Sequence, residues 1–206
     1  MIKNVIFDLD GTLADSAILT TAAFEEIAPI YNLPVPEVAA VRAVTGYANP
    51  EFYYRLFPNV SKEVVDKIGE DIECKELLIA DKFKNELFFP GCKELLLALL
   101  ERDIKIYIAS TGDERHVERV LEVADVTTLF TSINYGEPDK ADMLRRIITE
   151  PKSEWLMVGD MRKDVEGSKA NGIICVGACY GYCIQGRDAF DHYIYHPMEL
   201  LKIVGG

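Results

Sequence analysis

Short apolar runs that alternate with helical patterns constrain the fold of this chain more than any other feature. The clear runs are residues 3–8, 104–110, 155–160 and 173–177, and weaker candidates lie at 129–133 and 193–195. The clear runs are almost continuously apolar rather than alternating, which is typical of strands buried on both faces of a sheet. Because amphipathic segments lie between them, the sequence predicts an α/β fold with a doubly wound parallel sheet.

One connection is far longer than a crossover between parallel strands requires. The first strand ends near Asp10 and the second begins at Ile104, whereas about a dozen residues suffice for a crossover. The surplus carries helical patterns at 16–31, 35–44, 51–56 and 61–83, with prolines between them. We therefore predict a Rossmann-like core domain formed by residues 1–14 and 88–206. Residues 15–87 are predicted to form an inserted helical cap domain.

Composition and charge exclude several classes of protein. The chain has 206 residues, of which 49% are apolar, so it can bury a substantial core. Its formal net charge is −12, which would repel a phosphate backbone. We therefore predict no nucleic-acid polymer as a partner, and an anionic small substrate would need a local cation to receive it.

The sequence predicts a cytoplasmic protein with no membrane association. Its longest uncharged stretch, residues 173–186, is shorter than the roughly 18–20 residues of a membrane-spanning helix. Asp8 interrupts the first apolar run, which argues against the core of a signal peptide. The five cysteines include no C-x-x-C pair, as is typical of reduced thiols. The oligomeric state is left open between a monomer and a homodimer.

Polar side chains follow the predicted strands at the points where the strands end. Asp8 and Asp10 end the first strand, Ser110 ends the second, and Asp160 ends a later strand with Asp164 one helical turn beyond it. Ligands of open parallel sheets bind at these carboxyl ends. Crowded carboxylates repel one another unless a cation lies among them, and a set of oxygen ligands favours a hard cation such as Mg²⁺.

These residues resemble the motifs of the haloacid dehalogenase superfamily of hydrolases, in the branch with an inserted helical cap. The first family motif is matched by residues 8–13 (DLDGTL), the second by Ser110, the third by Lys140 and the fourth by residues 159–164 (GDMRKD). Within the superfamily the chain is most similar to phosphoglycolate phosphatases and β-phosphoglucomutases. The resemblance extends over essentially the whole chain, although over the cap it rests on position and helical content alone.

The resemblance implies a Mg²⁺-dependent phosphatase that acts on a small phosphorylated metabolite through an aspartyl-phosphate intermediate. Asp8 would attack phosphorus, and Asp10 would act as the general acid and then as the general base. Ser110 would donate a hydrogen bond to a phosphoryl oxygen, and Lys140 would offset the negative charge.

The resemblance also implies a set of ligands for Mg²⁺ and for the substrate. The predicted metal residues are Asp8, Asp10 through its backbone carbonyl, Asp160, and Asp164 as a residue that orients the others. The residues predicted to bind substrate are Thr111, Gly112, Arg42 and Tyr47.

The third motif departs from the usual family form, Gly-Lys-Pro. Residues 136–138 read Gly-Glu-Pro, so we predict that Lys140 fills the role of the motif lysine, with Lys152 as the alternative. Dehalogenases of the superfamily lack an acid at the position of Asp10, so its presence here argues against carbon–halogen chemistry. A β-phosphoglucomutase-like phosphotransferase is the alternative function. A non-catalytic binding protein fits less well, because it would be expected to have lost Asp8 or Asp10.

Overall fold

A single parallel sheet forms the centre of the structure. The computed structural model describes residues 1–84, 86–182 and 189–205. Its strands are β1 (Asn4–Phe7), β2 (Lys105–Ala109), β3 (Ser132–Asn134), β4 (Trp155–Gly159), β5 (Ile174–Ala178) and β6 (His192–Ile194). They lie in the order β3-β2-β1-β4-β5-β6, and every neighbouring pair is parallel. The predicted α/β fold with a doubly wound parallel sheet is confirmed.

Helices connect the strands. The helices are α1 (Ser16–Ile27), α2 (Val38–Val44), α3 (Glu51–Leu56), α4 (Lys62–Ile79), α5 (Cys92–Leu100), α6 (Glu114–Val123), α7 (Lys140–Ile147), α8 (Arg162–Asn171) and α9 (Leu200–Val204). Helices α1 to α4 all lie between β1 and α5, where the sequence predicted a helical insertion. Among the described residues, no helix is long and apolar enough to cross a membrane.

The sheet is covered on both faces, as its continuously apolar strands predict. Val5 and Phe7 of β1 pack in one buried cluster with residues of α5, α6 and α9. Ile6, between them, packs in a second cluster with residues of α7 and α8. Successive side chains of a strand point to opposite faces, so β1 joins the two apolar layers.

Several predicted elements differ at their ends from the observed ones, and three of the differences have a clear local cause. Helix α1 stops at Ile27 and a 3₁₀ turn, Ala28–Tyr31, follows, because Pro29 has no backbone N–H to continue the helix. Helix α2 begins only at Val38, after the last of the nearby prolines. The strand predicted at 129–133 is observed as β3, which begins only at Ser132. Another 3₁₀ turn, Thr127–Leu129, occupies the start of the predicted range.

The helical insertion is joined to the sheet by two linkers that lie side by side. The backbone N–H of Asp15 donates to the carbonyl of Leu87 (2.7 Å), and that of Phe89 donates to the carbonyl of Leu13 (2.9 Å). Helices α1 to α4 bury an apolar cluster of their own, which Val123 of α6 also enters. The division into a core domain and a cap domain stays a prediction.

Candidate active site

The carboxylates predicted from the strand ends meet at one edge of the sheet. Asp8 follows β1 and Asp160 follows β4, and these two strands are neighbours. The connections leaving β1 and β4 run to opposite sides in this strand order, which opens a crevice at their carboxyl ends. The candidate site therefore lies where ligands of doubly wound sheets bind.

Three buried carboxylates and one buried lysine form the centre of the site. Asp8, Asp160 and Asp164 each offer an oxygen within 4.8 Å of the others. The Nζ atom of Lys140 lies 2.8 Å from Oδ1 of Asp8 and 2.6 Å from Oδ1 of Asp164. Lys140 is the first residue of α7, so the loop that carries the altered third motif delivers its ammonium group to Asp8.

Asp164 organises the loop between β4 and α8. Its Oδ2 atom accepts hydrogen bonds from the backbone N–H groups of Asp160 (3.1 Å) and Met161 (2.9 Å), while its Oδ1 atom binds Lys140. A Cβ atom at Gly159 would lie 2.2 Å from Cγ of Asp164, so only glycine fits there. Both oxygens of Asp164 therefore already have partners from the protein.

Asp160 has one carboxylate oxygen without a partner. Thr12 donates to Oδ1 of Asp160 (3.1 Å), but Oδ2 is buried and has no hydrogen-bond partner among the described residues. Gly11 has φ +80°, and a Cβ atom on it would lie 2.5 Å from that Oδ2. Buried polar atoms are almost always paired, so an unpaired carboxylate oxygen inside this cluster fits a bound hard cation.

Burial and mutual repulsion set the proton affinities of the cluster. Burial, with the nearby Asp164 carboxylate, raises the pKa of Asp8 to about 7 although Lys140 opposes the shift. Burial and the charges of Asp8 and Asp164 raise the pKa of Asp160 well above its ordinary value. Burial disfavours the charged lysine, but Asp164 and Asp8 raise the pKa of Lys140 and keep it an ammonium.

Asp10 is not part of this cluster of three carboxylates and binds His116. Nε2 of His116 lies 2.9 Å from Oδ1 of Asp10, and Nδ1 lies 3.3 Å from Oε2 of Glu76 on α4. Burial opposes charge on both groups, but the contact lowers the pKa of Asp10, and Asp10 and Glu76 raise the pKa of His116 well above its ordinary value. The sequence interpretation missed His116. The available signal was its place three residues after Asp113, which caps α6 just beyond Ser110.

The loop after β2, which carries Ser110, Thr111 and Gly112, adjoins a cavity between the helical insertion and the sheet. The Oγ atom of Ser110 accepts a hydrogen bond from the backbone N–H of Gly112 (3.0 Å). Thr111 and Gly112 line the cavity, which also has Asp10 in its wall and a volume of about 190 Å³. The structure thus brings Asp10, Thr111 and Gly112 to the same opening, and the buried Ser110 contacts Gly112 behind it.

The two cap residues predicted to bind substrate have different surroundings. Tyr47 lines the cavity, and its ring lies 3.9 Å from the guanidinium carbon of Arg55. Arg42 is not among the described lining residues. Its guanidinium donates to both oxygens of Asp15 (3.2 and 2.5 Å), so an ion pair already occupies it.

Lys163, to which the sequence interpretation gave no role, lies near the opening of the cavity. The Nζ atom of Lys163 donates to the carbonyl of Gly46 (3.0 Å) and lies 5.8 Å from the centre of the Tyr47 ring. Burial, together with the charge of Lys140, lowers its pKa. Lys163 was part of the quoted fourth motif, GDMRKD, but had no predicted role.

The alternative lysine lies outside the site. Lys152 is exposed in a turn just before β4, and therefore at the amino end of the strand whose carboxyl end carries Asp160. Glu137, which occupies the usual position of the motif lysine, pairs with Arg146 instead. Of the two candidate lysines, the structure places only Lys140 beside Asp8.

Comparison with known proteins identifies the family. Residues 5–178 match the family model described as haloacid dehalogenase-like hydrolase. The chain belongs to this hydrolase family. It is 30% identical over 191 residues to the phosphoglycolate phosphatase of Pseudomonas savastanoi pv. phaseolicola, covering 87% of this chain and 70% of that protein.

Solved structures agree with the fold of this hydrolase. A predicted phosphoglycolate phosphatase from Haemophilus somnus has a TM-score of 0.85 and 22% identity, covering 98% of this chain and 97% of the other. A haloacid dehalogenase-like family hydrolase from Streptococcus pneumoniae has a TM-score of 0.80 and 23% identity, covering 98% of each chain. The predicted family is confirmed, and so is the predicted enzyme class, a phosphoric monoester hydrolase.

Proposed function

We propose that this hydrolase is a Mg²⁺-dependent phosphatase that cleaves a small phosphomonoester through an aspartyl-phosphate intermediate on Asp8. The observation that carries the proposal is the environment of Asp8. Its buried carboxylate contacts the ammonium of Lys140 and has an oxygen within 4.8 Å of one of Asp160, whose Oδ2 has no partner among the described residues. A nucleophilic carboxylate, a fixed cation and a candidate metal ligand therefore stand together at the carboxyl edge of the sheet. The phosphatase relatives support this proposal.

The carboxylates of Asp8 and Asp160 would hold the metal ion, with the backbone carbonyl of Asp10 as the third predicted ligand. Asp164 already binds Lys140 and two backbone N–H groups, so its role is to orient the loop that carries Asp160. A bound Mg²⁺ would reduce the repulsion between the Asp8 carboxylate and an incoming phosphate.

Asp8 and Asp10 would divide the chemical steps between them. An oxygen of Asp8 attacks phosphorus, the bond from phosphorus to the ester oxygen breaks, and Asp10 gives a proton to the departing alkoxide. Asp10 then takes a proton from a water molecule that attacks the phosphorus of the aspartyl-phosphate. That step releases inorganic phosphate and restores the Asp8 carboxylate.

Lys140 and the loop after β2 would neutralise and orient the phosphoryl group. The ammonium of Lys140 is fixed by Asp164, so it needs no reorganisation to face negative charge that develops beside Asp8. Ser110 lies at the end of β2, and its hydroxyl, held by the Gly112 N–H, would donate to a phosphoryl oxygen. Thr111 and Gly112 would lie against the same phosphoryl oxygens.

His116 is proposed as a positioning residue for Asp10. The imidazolium of His116 binds Oδ1 of Asp10 and also contacts Glu76 of the helical insertion. Glu76 therefore helps to fix the side chain of Asp10 through His116. The pair stores one proton near neutral pH because the pKa of His116 is raised and that of Asp10 is lowered. That proton lies on His116, so Asp10 would take it from His116 as the ester bond breaks and give a proton to the alkoxide. His116 would then stay neutral until Asp10 returns to it the proton taken from the attacking water.

The helical insertion is proposed to act as the cap predicted from the sequence. It contributes Thr45, Tyr47 and Glu76 to the cavity wall, opposite Asp10 and Gly112. A cap in this place would limit the access of water to the reacting phosphoryl group. Cytoplasmic location and a monomeric or homodimeric state stay predictions.

Removal of divalent metal is expected to abolish phosphate release. The purified protein should release phosphate from p-nitrophenyl phosphate or from small natural phosphomonoesters in Mg²⁺ but not in EDTA, because metal charge is needed to bring phosphate to Asp8. Mg²⁺ should also raise the melting temperature, since it binds the folded state selectively, and the Asp160→Asn variant should lose this shift. Equal release with and without EDTA would contradict the proposed metal dependence, and activity that required a sugar bisphosphate would favour the mutase.

Loss of His116 is expected to slow turnover more than it weakens substrate binding. His116→Asn should lower kcat by about 10- to 100-fold, because a misplaced catalytic group costs on that order, while KM changes little. The apparent pKa of Asp10 in the pH–rate profile should rise, since the neighbouring positive charge is lost. His192→Asn, at an exposed histidine of β6, is the matched control. An unchanged pH profile in His116→Asn would show that the contact with Asp10 has no catalytic consequence.

A further inference from the structure

The cavity beside Asp10 has the size of a small leaving group. Helices α1, α3 and α4 and residues 45–49 line one part of the cavity, and Asp10, the loop after β2, His116 and Gly136 line the rest. Its volume of about 190 Å³ is below the roughly 300–1,000 Å³ of sites for drug-sized ligands. Because Asp10 is the proposed donor of a proton to the alkoxide, the alcohol part of the substrate would lie in this cavity.

The charged residues in the cavity wall are predominantly acidic. Four carboxylates, those of Asp10, Glu73, Glu76 and Asp113, line the cavity together with His116. Lysine and arginine are both absent from the described lining residues. The imidazolium of His116 is shared between Asp10 and Glu76, so it is already committed to two carboxylates. The wall therefore carries a negative potential.

Three cations around the cavity contact other groups, and two of them, Arg42 and Arg115, are paired with a carboxylate. Arg42 forms its ion pair with Asp15, and Lys163 donates to the backbone carbonyl of Gly46. Arg115 pairs with Glu73 at 3.2 Å but with a side chain that is 61% exposed, so solvent screens its charge. Burial and the charges of Asp113 and Glu76 raise the pKa of Glu73 despite this arginine. An anionic group on the leaving alcohol would meet four carboxylates and no lysine or arginine among the described residues that line the cavity, although Lys163 keeps its charge beside Gly46 at the opening.

The remaining wall suits a short polar molecule. Thr20 and Thr45 bring hydroxyl groups, the amide of Asn49 donates to Oε1 of Glu73 (2.6 Å), and Phe52 and Tyr53 present aromatic rings. Carboxylate oxygens accept hydrogen bonds and cannot donate them when ionised. The favoured partners of Glu73 and Glu76 are therefore hydroxyl or amino groups.

We propose that the substrate is a phosphomonoester of a small alcohol that bears hydroxyl or amino groups and no carboxylate. The inference rests on the proposed phosphatase function and specifies its substrate class. The proposed substrate differs from phosphoglycolate, the compound for which the phosphoglycolate phosphatase relatives are named. The acidic wall would attract hydrogen-bond donors and repel a second anionic group at the far end of the substrate.

Three esters with the same two-carbon chain test the substrate class. They are 2-hydroxyethyl phosphate, 2-aminoethyl phosphate and 2-phosphoglycolate, which end in a hydroxyl, an ammonium and a carboxylate group. In Mg²⁺, kcat/KM for the first two should exceed that for phosphoglycolate by about tenfold or more, the effect of one like charge at close range. A value for phosphoglycolate equal to or above the other two would overturn the inference.

A variant of the wall tests whether its charge causes the discrimination. Glu73→Gln should raise kcat/KM for phosphoglycolate relative to 2-hydroxyethyl phosphate by about threefold or more, because one negative charge is removed. The control is Glu63→Gln, which removes the same charge from an 82% exposed side chain near the start of α4. The ratio should stay at the wild-type value in this control, and equal changes in both variants would overturn the role of the wall.

Binding measurements separate this inference from the proposed function. Calorimetry on the Asp8→Asn variant in Mg²⁺ would give a Kd for each ester without turnover. If no ester is hydrolysed by the wild type but phosphoglycolate binds most weakly, the proposed catalysis fails and the inference stands. If esters are hydrolysed but phosphoglycolate binds most tightly, the function stands and the inference fails.

Discussion

Replacement of Asp8 by Asn is expected to lower phosphate release by about 10⁴-fold or more, the scale measured when a catalytic nucleophile is removed. The amide nitrogen cannot attack phosphorus, and the neutral side chain no longer attracts the ammonium of Lys140, which lies 2.8 Å away. Phosphate release should be measured at saturating ester in Mg²⁺. The wild-type enzyme should additionally accumulate an acid-stable but alkali-labile phosphoenzyme when quenched during turnover, and the variant should not.

The control for this experiment is a second Asp→Asn substitution at a distant site. Asp103 is exposed, has φ +57° and lies just before β2, at the opposite edge of the sheet from Asp8. Asparagine tolerates this backbone conformation, so Asp103→Asn should retain both fold and activity. Activity in Asp8→Asn within tenfold of the wild type would contradict the proposed intermediate.

Replacement of Lys140 by Met is expected to lower the free energy of unfolding by about 3–5 kcal/mol at pH 8, since it leaves two buried carboxylates without their cation. Asp8 and Asp164 both contact the Nζ atom that is removed. The loss should shrink at pH 5.5. Burial raises the pKa of Asp8 to about 7 even beside Lys140, and loss of the lysine raises this pKa further, so the carboxyl becomes neutral in the folded variant as the pH falls. Urea unfolding in EDTA at the two pH values would measure the difference.

Lys152→Met is the matched control for the same experiment. Its side chain is exposed in the turn before β4, so its loss should change the free energy of unfolding by less than about 0.5 kcal/mol. Phosphate release should also persist in Lys152→Met and disappear in Lys140→Met. Equal destabilisation of the two variants would show that the buried contacts of Lys140 do not stabilise the fold.

The sequence determined the sheet and the carboxylates at its edge because both depend on local pattern. Continuously apolar strands indicate burial on two faces, and the acids at 8, 10 and 160 follow directly from the strands that carry them. Parallel strands have their carboxyl ends at the same edge of the sheet, and the observed strand order, in which β1 and β4 are neighbours, brings Asp8 and Asp160 together. The altered third motif was also interpretable, since Lys140 begins a helix whose start lies near the same edge.

Tertiary structure alone decided the surroundings of those residues. Glu76 and His116 are 40 positions apart, on α4 and α6, and no local spacing predicts that both contact the neighbourhood of Asp10. Arg42 was predicted to bind substrate, but in the folded protein it forms an ion pair with Asp15, which lies 27 positions earlier in the chain. The charge of the cavity wall likewise arises from segments that meet only when the helical insertion packs on the sheet. The proposed catalytic residues lie at strand ends, where local sequence pattern can predict them. The proposed substrate specificity depends on residues that are distant in sequence and come together only through tertiary packing.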